Sequence, residues 1–270
     1  MSIFFMELRN MRKGTVISTF SIACAIFLML SFFPAMQSES MQALAGVQLE
    51  GMDEAVLAAF GLSEMIDFTV ITNYFGYVIQ YVVLAIMVIV TNRAVSLFAK
   101  EESGGTIEFL YAKPVSRTDI VIQKLLAHTV LFAFTIIICM AVTIAGYLSF
   151  SSYNFIEAVR EAAVAYLAIF FIGLIFSSVG LFLSTVIRSG ERTAGIAIAI
   201  VFVTFIFGVM SAVVENLDFL IWCSPMDWIK IQKLMSEGIL AEEWIVGAAV
   251  IIIGAAATLI RYNKKDLLIT

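Results

Sequence analysis

The side chains in this sequence that could do chemistry are few and far apart. His128 is the only histidine, and a single imidazole excludes the paired ligands of an H-E-x-x-H zinc site. Placed near the inner end of an apolar run, it reads as an interfacial polar residue rather than a proton relay. Cys24, Cys139 and Cys223 lack metal-ligand spacing and read as packing residues. Neither a G-x-S-x-G nucleophile elbow nor a G-x-x-x-x-G-K-[ST] phosphate loop is present. The chain therefore reads as no enzyme, with no cofactor of its own, and any energy for work must come from a partner. The remaining polar residues gather in two places. Asn73, Tyr77, Gln80 and Tyr81 recur at helical spacing and share one face, and a charged segment begins at Glu101 and Glu102.

The elements that carry these residues follow from composition. The 270 residues are 61% hydrophobic and 14% charged, whereas a soluble domain is roughly 45–50% apolar and about 25% charged. The bulk of the chain belongs in a membrane. A formal charge of -5 and a pI near 5.0 exclude a nucleic-acid binder. Three cysteines and this hydrophobicity exclude a disulfide scaffold and a disordered chain.

A helix needs about 20 apolar residues to cross roughly 30 Å of hydrocarbon. Six stretches qualify, approximately Thr15 to Phe33, Phe68 to Val90, Leu126 to Ser149, Ala162 to Ile187, Ala194 to Ala212 and Trp244 to Ile260, and none contains Asp, Glu, Lys or Arg. The predicted fold class is thus all-α, a polytopic membrane protein whose single transmembrane domain occupies residues 1–270. The first run is too long for a signal-peptide core, and the nearest A-x-A pattern, Ala43 to Ala45, lies well beyond its end, so it reads as a retained span. Six spans put both termini on one side. Thirteen of the sixteen basic residues flank that side, leaving Arg160, Lys230 and Lys233 on the other. The positive-inside rule predicts cytoplasmic termini in the plasma membrane. Trp222, Trp228 and Trp244 then fall at or beyond the outer interface.

Polar amides in hydrocarbon need partners, so the Asn73, Tyr77, Gln80 and Tyr81 face looks onto another helix or onto a wet cavity. Gly173, Ser177, Gly180 and Ser184 form a small-residue stripe on span four, and Thr204, Gly208 and Ser211 a similar one on span five; both read as packing faces. The first outer loop, residues 34–67, holds six acidic residues and no basic ones, and its part from Asp53 to Met65 has the apolar spacing of a short helix. In the last outer loop, Ser224, Pro225 and Asp227 predict an N-cap, first-turn proline and acidic third position for a helix reaching toward Gly238, a piece placed to close the outer end of a path.

The segment from Thr91 to Lys124 is the longest cytoplasmic stretch. Ala94, Val95, Leu97 and Phe98 extend span two into the cytoplasm until Gly104 and Gly105 break the helix. Thr106 caps a short helix bearing Ile107, Phe109, Leu110 and Tyr111, which ends before Lys113 and Pro114. Ser116, three residues before Asp119, opens the helix that becomes span three. The exposed apolar side chains of the short helix suit a partner's groove, the bilayer surface or the chain's own spans.

Glu101-Glu102-x-x-Gly105-Thr106-Ile107-Glu108, then Ala112-Lys113-Pro114-Val115-Ser116-Arg117 and Lys124, resembles the cytoplasmic loop of permease subunits of type 2 ABC exporters. The Ser2 to Lys13 segment resembles that family's amphipathic elbow helix, Tyr262 to Leu267 its basic tail, and Ser224-Pro225 a pair found in its last outer loop. The resemblance implies a permease that pairs with a second permease, identical or not, and moves a substrate outward. ATP and magnesium would sit on separate cytoplasmic ATPase subunits. Thr106 to Tyr111, with Pro114 and Arg117 beside it, would be the coupling helix and its turn, and Glu101 and Glu102 would add polar contacts there. It also implies a path lined by spans one, two and five, which favours the cavity for the Asn73 face. A different class of function, a non-transporting assembly or regulatory protein that recruits a cytoplasmic partner through the Thr91–Lys124 loop, fits the same loop.

Overall fold

The computed structural model describes residues 2–42, 57, 67–104, 115–187, 190–214, 216–230, 233–234 and 238–264. Six long helices run through it: α1 (Ile3–Ser31), α2 (Ile71–Ser103), α3 (Arg117–Phe150), α4 (Phe155–Ser184), α5 (Thr193–Val213) and α6 (Ala241–Lys264). All six are long and apolar enough to cross a membrane. The regions proposed for the helix at Asp53 to Met65, apart from Leu57, and for the short helix at Thr106 to Tyr111 lie outside the described residues.

Local signals account for the helix ends. Ser116 and Asp119 form a reciprocal capping box at the start of α3: Asp119 N–H donates to Ser116 Oγ at 3.1 Å and Ser116 N–H to Asp119 Oδ2 at 3.3 Å. Asn154 and Glu157 do the same for α4, with both bonds at 3.0 Å. That helix therefore begins at Phe155, about two turns before the uncharged run at Ala162. The α2 helix continues past the apolar run to Ser103, as its amphipathic extension predicts, and then meets Gly104.

The segment from Ser2 to Lys13 continues directly into the first span, since α1 runs unbroken from Ile3 to Ser31. The helix expected from Ser224 to near Gly238 opens as a five-residue 3-10 turn, Pro225–Ile229, with the Ser224 hydroxyl on the Asp227 carboxylate instead of capping the turn; residues 231–232 and 235–237 of that stretch lie outside the described residues. The Trp228 ring is buried and its Nε1 donates to the Ile221 carbonyl at 3.0 Å, while Cys223 is exposed and packs nothing.

The bundle is centred on α2 and α4, whose apolar windows are the most buried. Gly180 of α4 lets its backbone approach α2, since a Cβ there would lie 2.8 Å from Ala94 Cβ and 3.2 Å from the Thr91 carbonyl. Gly173 likewise admits the Phe132 ring of α3. The stripe on α4 is thus a packing face, and its Ser177 meets His128 Nε2 at 2.9 Å. His128 is buried against α4, so the interfacial placement expected from its position in the sequence is replaced by an interhelical hydrogen bond. The main core holds residues of α1 to α5 together with Met226, Trp228 and Ile229 of the 3-10 turn. A second, smaller cluster at one end unites Ile3, Leu97, Phe98, Ile120, Leu181 and Tyr262, which places the start of α1 and the end of α6 at the same end of the bundle.

Candidate functional site

Two polar constellations stand out, one at each end of α2. At the end where α1 begins and α6 finishes, Lys124 of α3 is fully buried. Its Nζ donates to Glu7 Oε1 of α1 at 2.5 Å, to Glu101 Oε1 of α2 at 2.5 Å and to the Leu97 carbonyl at 3.2 Å. The same ammonium lies 5.5 Å from the centre of the Phe98 ring. All three proton-donor directions of the lysine are thus directed to acceptors on two neighbouring helices. Glu101 Oε2 is buried without a hydrogen-bond partner among the described residues.

Aromatic and amide contacts brace this joint. Tyr262 of α6 is buried with its ring centre 4.6 Å from that of Phe98. Arg117 Nη1 donates to the Asn263 carbonyl at 3.1 Å, and Asn263 Nδ2 to Thr118 Oγ1 at 3.2 Å, so the end of α6 is tied to the first turn of α3. Gln123 Oε1 accepts from Phe4 N–H at 3.1 Å, satisfying one of the open donors at the start of α1. Glu101 and Arg117, both expected near the coupling region, are brought to the two sides of this joint. Glu102 lies on the last turn of α2, and Gly105, Thr106, Ile107, Glu108, Phe109, Leu110, Tyr111 and Pro114 lie outside the described residues.

Toward the other end, α2, α4 and α5 diverge around a cavity of about 50 Å³, room for a few waters. Tyr77 and Gln80 line it from α2, Phe205 from α5, and Met226, Asp227 and Lys230 from the 3-10 turn and its exit. Of the polar face expected on α2, Tyr77 and Gln80 reach this space. Tyr81 is largely exposed, its ring edge-on to Tyr77 at 5.6 Å. Asn73 sits further out, donating from Nδ2 to the Asp67 carbonyl at 3.1 Å. The Thr69 hydroxyl and backbone N–H both donate to Asp67 Oδ1, at 2.5 and 2.9 Å, and hold that carboxyl below the usual carboxylate range.

The cavity has a polar roof. Ser224 Oγ donates to Asp227 Oδ2 at 2.6 Å, and Lys230 Nζ lies 2.6 Å from Asp227 Oδ1. The turn can sit this deep because residue 208 of α5 is glycine: a Cβ there would lie 1.5 Å from Asp227 Oδ2. Beyond the cavity lining, Glu243 of α6 pairs with Lys233 at 2.5 Å and accepts from Leu240 N–H at 3.0 Å. Among the described residues no group of histidine, cysteine and carboxylate side chains is placed to hold a metal ion.

Sequence reasoning missed Glu7 and the Asp227–Lys230 pair as site residues. Glu7 had a signal, being the one carboxylate before Glu39 and spaced four residues from both Ile3 and Met11 on an apolar face. Lys124 enters the sequence reading only through the family resemblance, and nothing local indicates that it becomes the most buried cation among the described residues.

The arrangement defines a class: a multi-pass membrane protein whose central helix joins a polar cavity to a charged joint at the opposite end. Residues 1–267 match the family described as ABC-2 family transporter protein, so the chain belongs to the ABC-2 transporter family. It is an ABC transporter membrane component, and permeases of this family work with ATPase subunits. No match is found among curated proteins.

Proposed function

We infer that this chain, acting as one permease domain over residues 1–270, exports a substrate across the plasma membrane with both termini in the cytoplasm. It pairs with a second permease, and ATP and magnesium are used on separate cytoplasmic ATPase subunits. The observation that carries this reading is the Lys124 joint. It binds the last turn of α2 to α1 and α3 through buried charge, at the helix ends between which residues 105–114 run. A push delivered to that segment acts on three helices held as one unit, rather than on a loose loop.

In this reading Ile107, Phe109, Leu110 and Tyr111 enter a groove of the ATPase, with Gly105, Thr106, Glu108 and Pro114 shaping the turn and Glu102 and Arg117 at its edges. Glu101 acts by holding Lys124. Tyr77 and Gln80 contact the substrate path directly, while Asn73 and Tyr81 continue it toward the outside and toward the second permease. The Asp227 turn is its outer closure. The test is copurification with the ABC ATPase encoded nearest to the chain. Phe109→Asp with Leu110→Asp is expected to abolish it while membrane insertion persists. Copurification at the native level would overturn the reading, and binding without ATP-dependent substrate movement after reconstitution would favour the recruiting protein instead.

A further inference from the structure

Helix α5 is held along one line only. Its buried residues, Thr193, Ala197, Val201 and Gly208, recur at helical spacing and share one stripe, which Phe205 continues toward the cavity. The other faces are exposed, at Ile198, Phe202 and Ile206 among others. Among the described residues the backbone of α5 approaches α2 and the turns that follow α5, and hardly approaches α1, α3, α4 or α6. A helix gripped in this way tilts without breaking the core that holds α2 and α4.

Each end of that stripe carries a specific tie. At the end nearer the Lys124 joint, the buried Ser96 of α2 donates from Oγ to Thr193 Oγ1 at 3.1 Å, sharing its proton with the Asn92 carbonyl at 2.6 Å, and the Thr193 hydroxyl donates to the Gly190 carbonyl at 2.9 Å. The short turn Gly190–Arg192 leans on α2 as well, since a Cβ on Gly190 would lie 2.7 Å from Ser103 Oγ and 3.6 Å from Lys100 Cα. About 22 Å further along the helix, at 1.5 Å per residue, Gly208 receives the Asp227 carboxylate, and a Cβ there would also lie 2.6 Å from Ser224 Oγ. The Asp227 turn is itself anchored, because Met226, Trp228 and Ile229 belong to the main core. When Gly208 and Asp227 part, α5 is the element free to move.

We propose that α5 is a connecting rod between the Lys124 joint and the cavity: displacement of the end of α2 carries Thr193 with it and draws Gly208 off Asp227, which opens the wall formed by Phe205 and Val209. The inference rests on the transport reading, in which an ATPase displaces the end of α2. It makes Ser96, Thr193 and Gly208 positioning residues for transport, acting through the helix that carries Phe205. Glycine at 208 suits this role, since the closed contact is intimate yet no side chain has to be dragged past the carboxylate when it opens.

The test uses the full chain, with Cys24 and Cys223 replaced by serine, reconstituted in vesicles with the ABC ATPase encoded nearest to it. A Cβ on Gly208 would lie 2.6 Å from Asp227 Cγ, so Gly208→Cys with Asp227→Cys places the two Cβ atoms at most about 4 Å apart, a separation that a disulfide spans. Oxidation is expected to lower ATP hydrolysis severalfold, and reductant to restore it in the same molecules, while each single-cysteine variant responds to neither. Ser96→Ala with Thr193→Ala, added to the bridged pair, is expected to return most of the lost hydrolysis, because the rod no longer follows α2. A pair that oxidant does not bridge, or hydrolysis that the bridge leaves unchanged, overturns the proposal. So does inhibition that the Ser96 and Thr193 substitutions leave undiminished, which routes the movement through another helix. If the reduced chain neither binds the ATPase nor alters its rate, the transport reading itself falls, and the proposal with it.

Discussion

Lys124 Nζ and Glu7 Oε1 lie 2.5 Å apart although 117 residues separate them in the chain. With Glu101 also paired to the same ammonium, this contact makes one cation the common partner of two helices. Removing the cation leaves two carboxylates facing each other out of water, while removing one carboxylate leaves a pair intact.

The two kinds of substitution are therefore expected to differ. Lys124→Met destabilises the permease by about 3–5 kcal/mol, and Glu7→Gln by less. Adding Glu7→Gln and Glu101→Gln to Lys124→Met recovers most of the loss, because the strain lies in the unpaired charge. Thermal unfolding in detergent measures the series, and equal melting of Lys124→Met and the triple variant would contradict it.

Gly208 and Asp227 form a second coupled pair. Gly208→Ala places a methyl group where Asp227 Oδ2 now lies, so the Asp227 carboxylate must swing away from α5. Overpacking of this kind costs about 1–3 kcal/mol. Shortening the acid with Asp227→Ala in the same chain is expected to restore part of the melting temperature. Additive losses in the double-mutant cycle would show that the two residues do not share that space.

Tyr262 fills the joint from α6. Tyr262→Ala removes a buried ring from Phe98 and is expected to cost about 3–5 kcal/mol, whereas Tyr262→Phe keeps the ring contact and is expected to lose less. Detergent melting of both variants separates packing from any role of the phenol hydroxyl.

The cysteines report the orientation. Cys223 is exposed beyond the end of α5 and Cys139 is buried within α3. With the termini cytoplasmic, a membrane-impermeant maleimide added to intact cells is expected to label the native chain and not Cys223→Ser. Labelling only after the cells are opened would invert the topology.

The six spans were legible because an uncharged apolar run of this length has no competing explanation. Ser116 and Asp119 were legible for a related reason, since a capping box needs only residues three apart. The Asn154–Glu157 box was equally local, yet searching for uncharged runs hid it by discarding every carboxylate near a span. What could not be read was pairing between distant segments. Nothing around Lys124 names Glu7, nothing around Gly208 names Asp227, and His128 gives no sign of Ser177 until α3 and α4 are packed. The same limit explains the 3-10 form of the turn at Pro225, where burial against neighbours outweighs local preference.

The length of α2 has a mechanical meaning. Thirty-three residues at 1.5 Å each make a rod about 50 Å long, with Tyr77 and Gln80 near one extremity and Glu101 near the other. Such a rod is a lever. Rotated by about 10° around its cavity end, it carries Ser103 through about 9 Å, so a modest change of angle beside the cavity corresponds to a displacement of several residue lengths at the joint. In the proposed transport cycle an ATPase pushing at the joint would work with a long stroke and small force, and the cavity end with a short stroke and large force, which suits separating packed side chains such as those under the Asp227 turn.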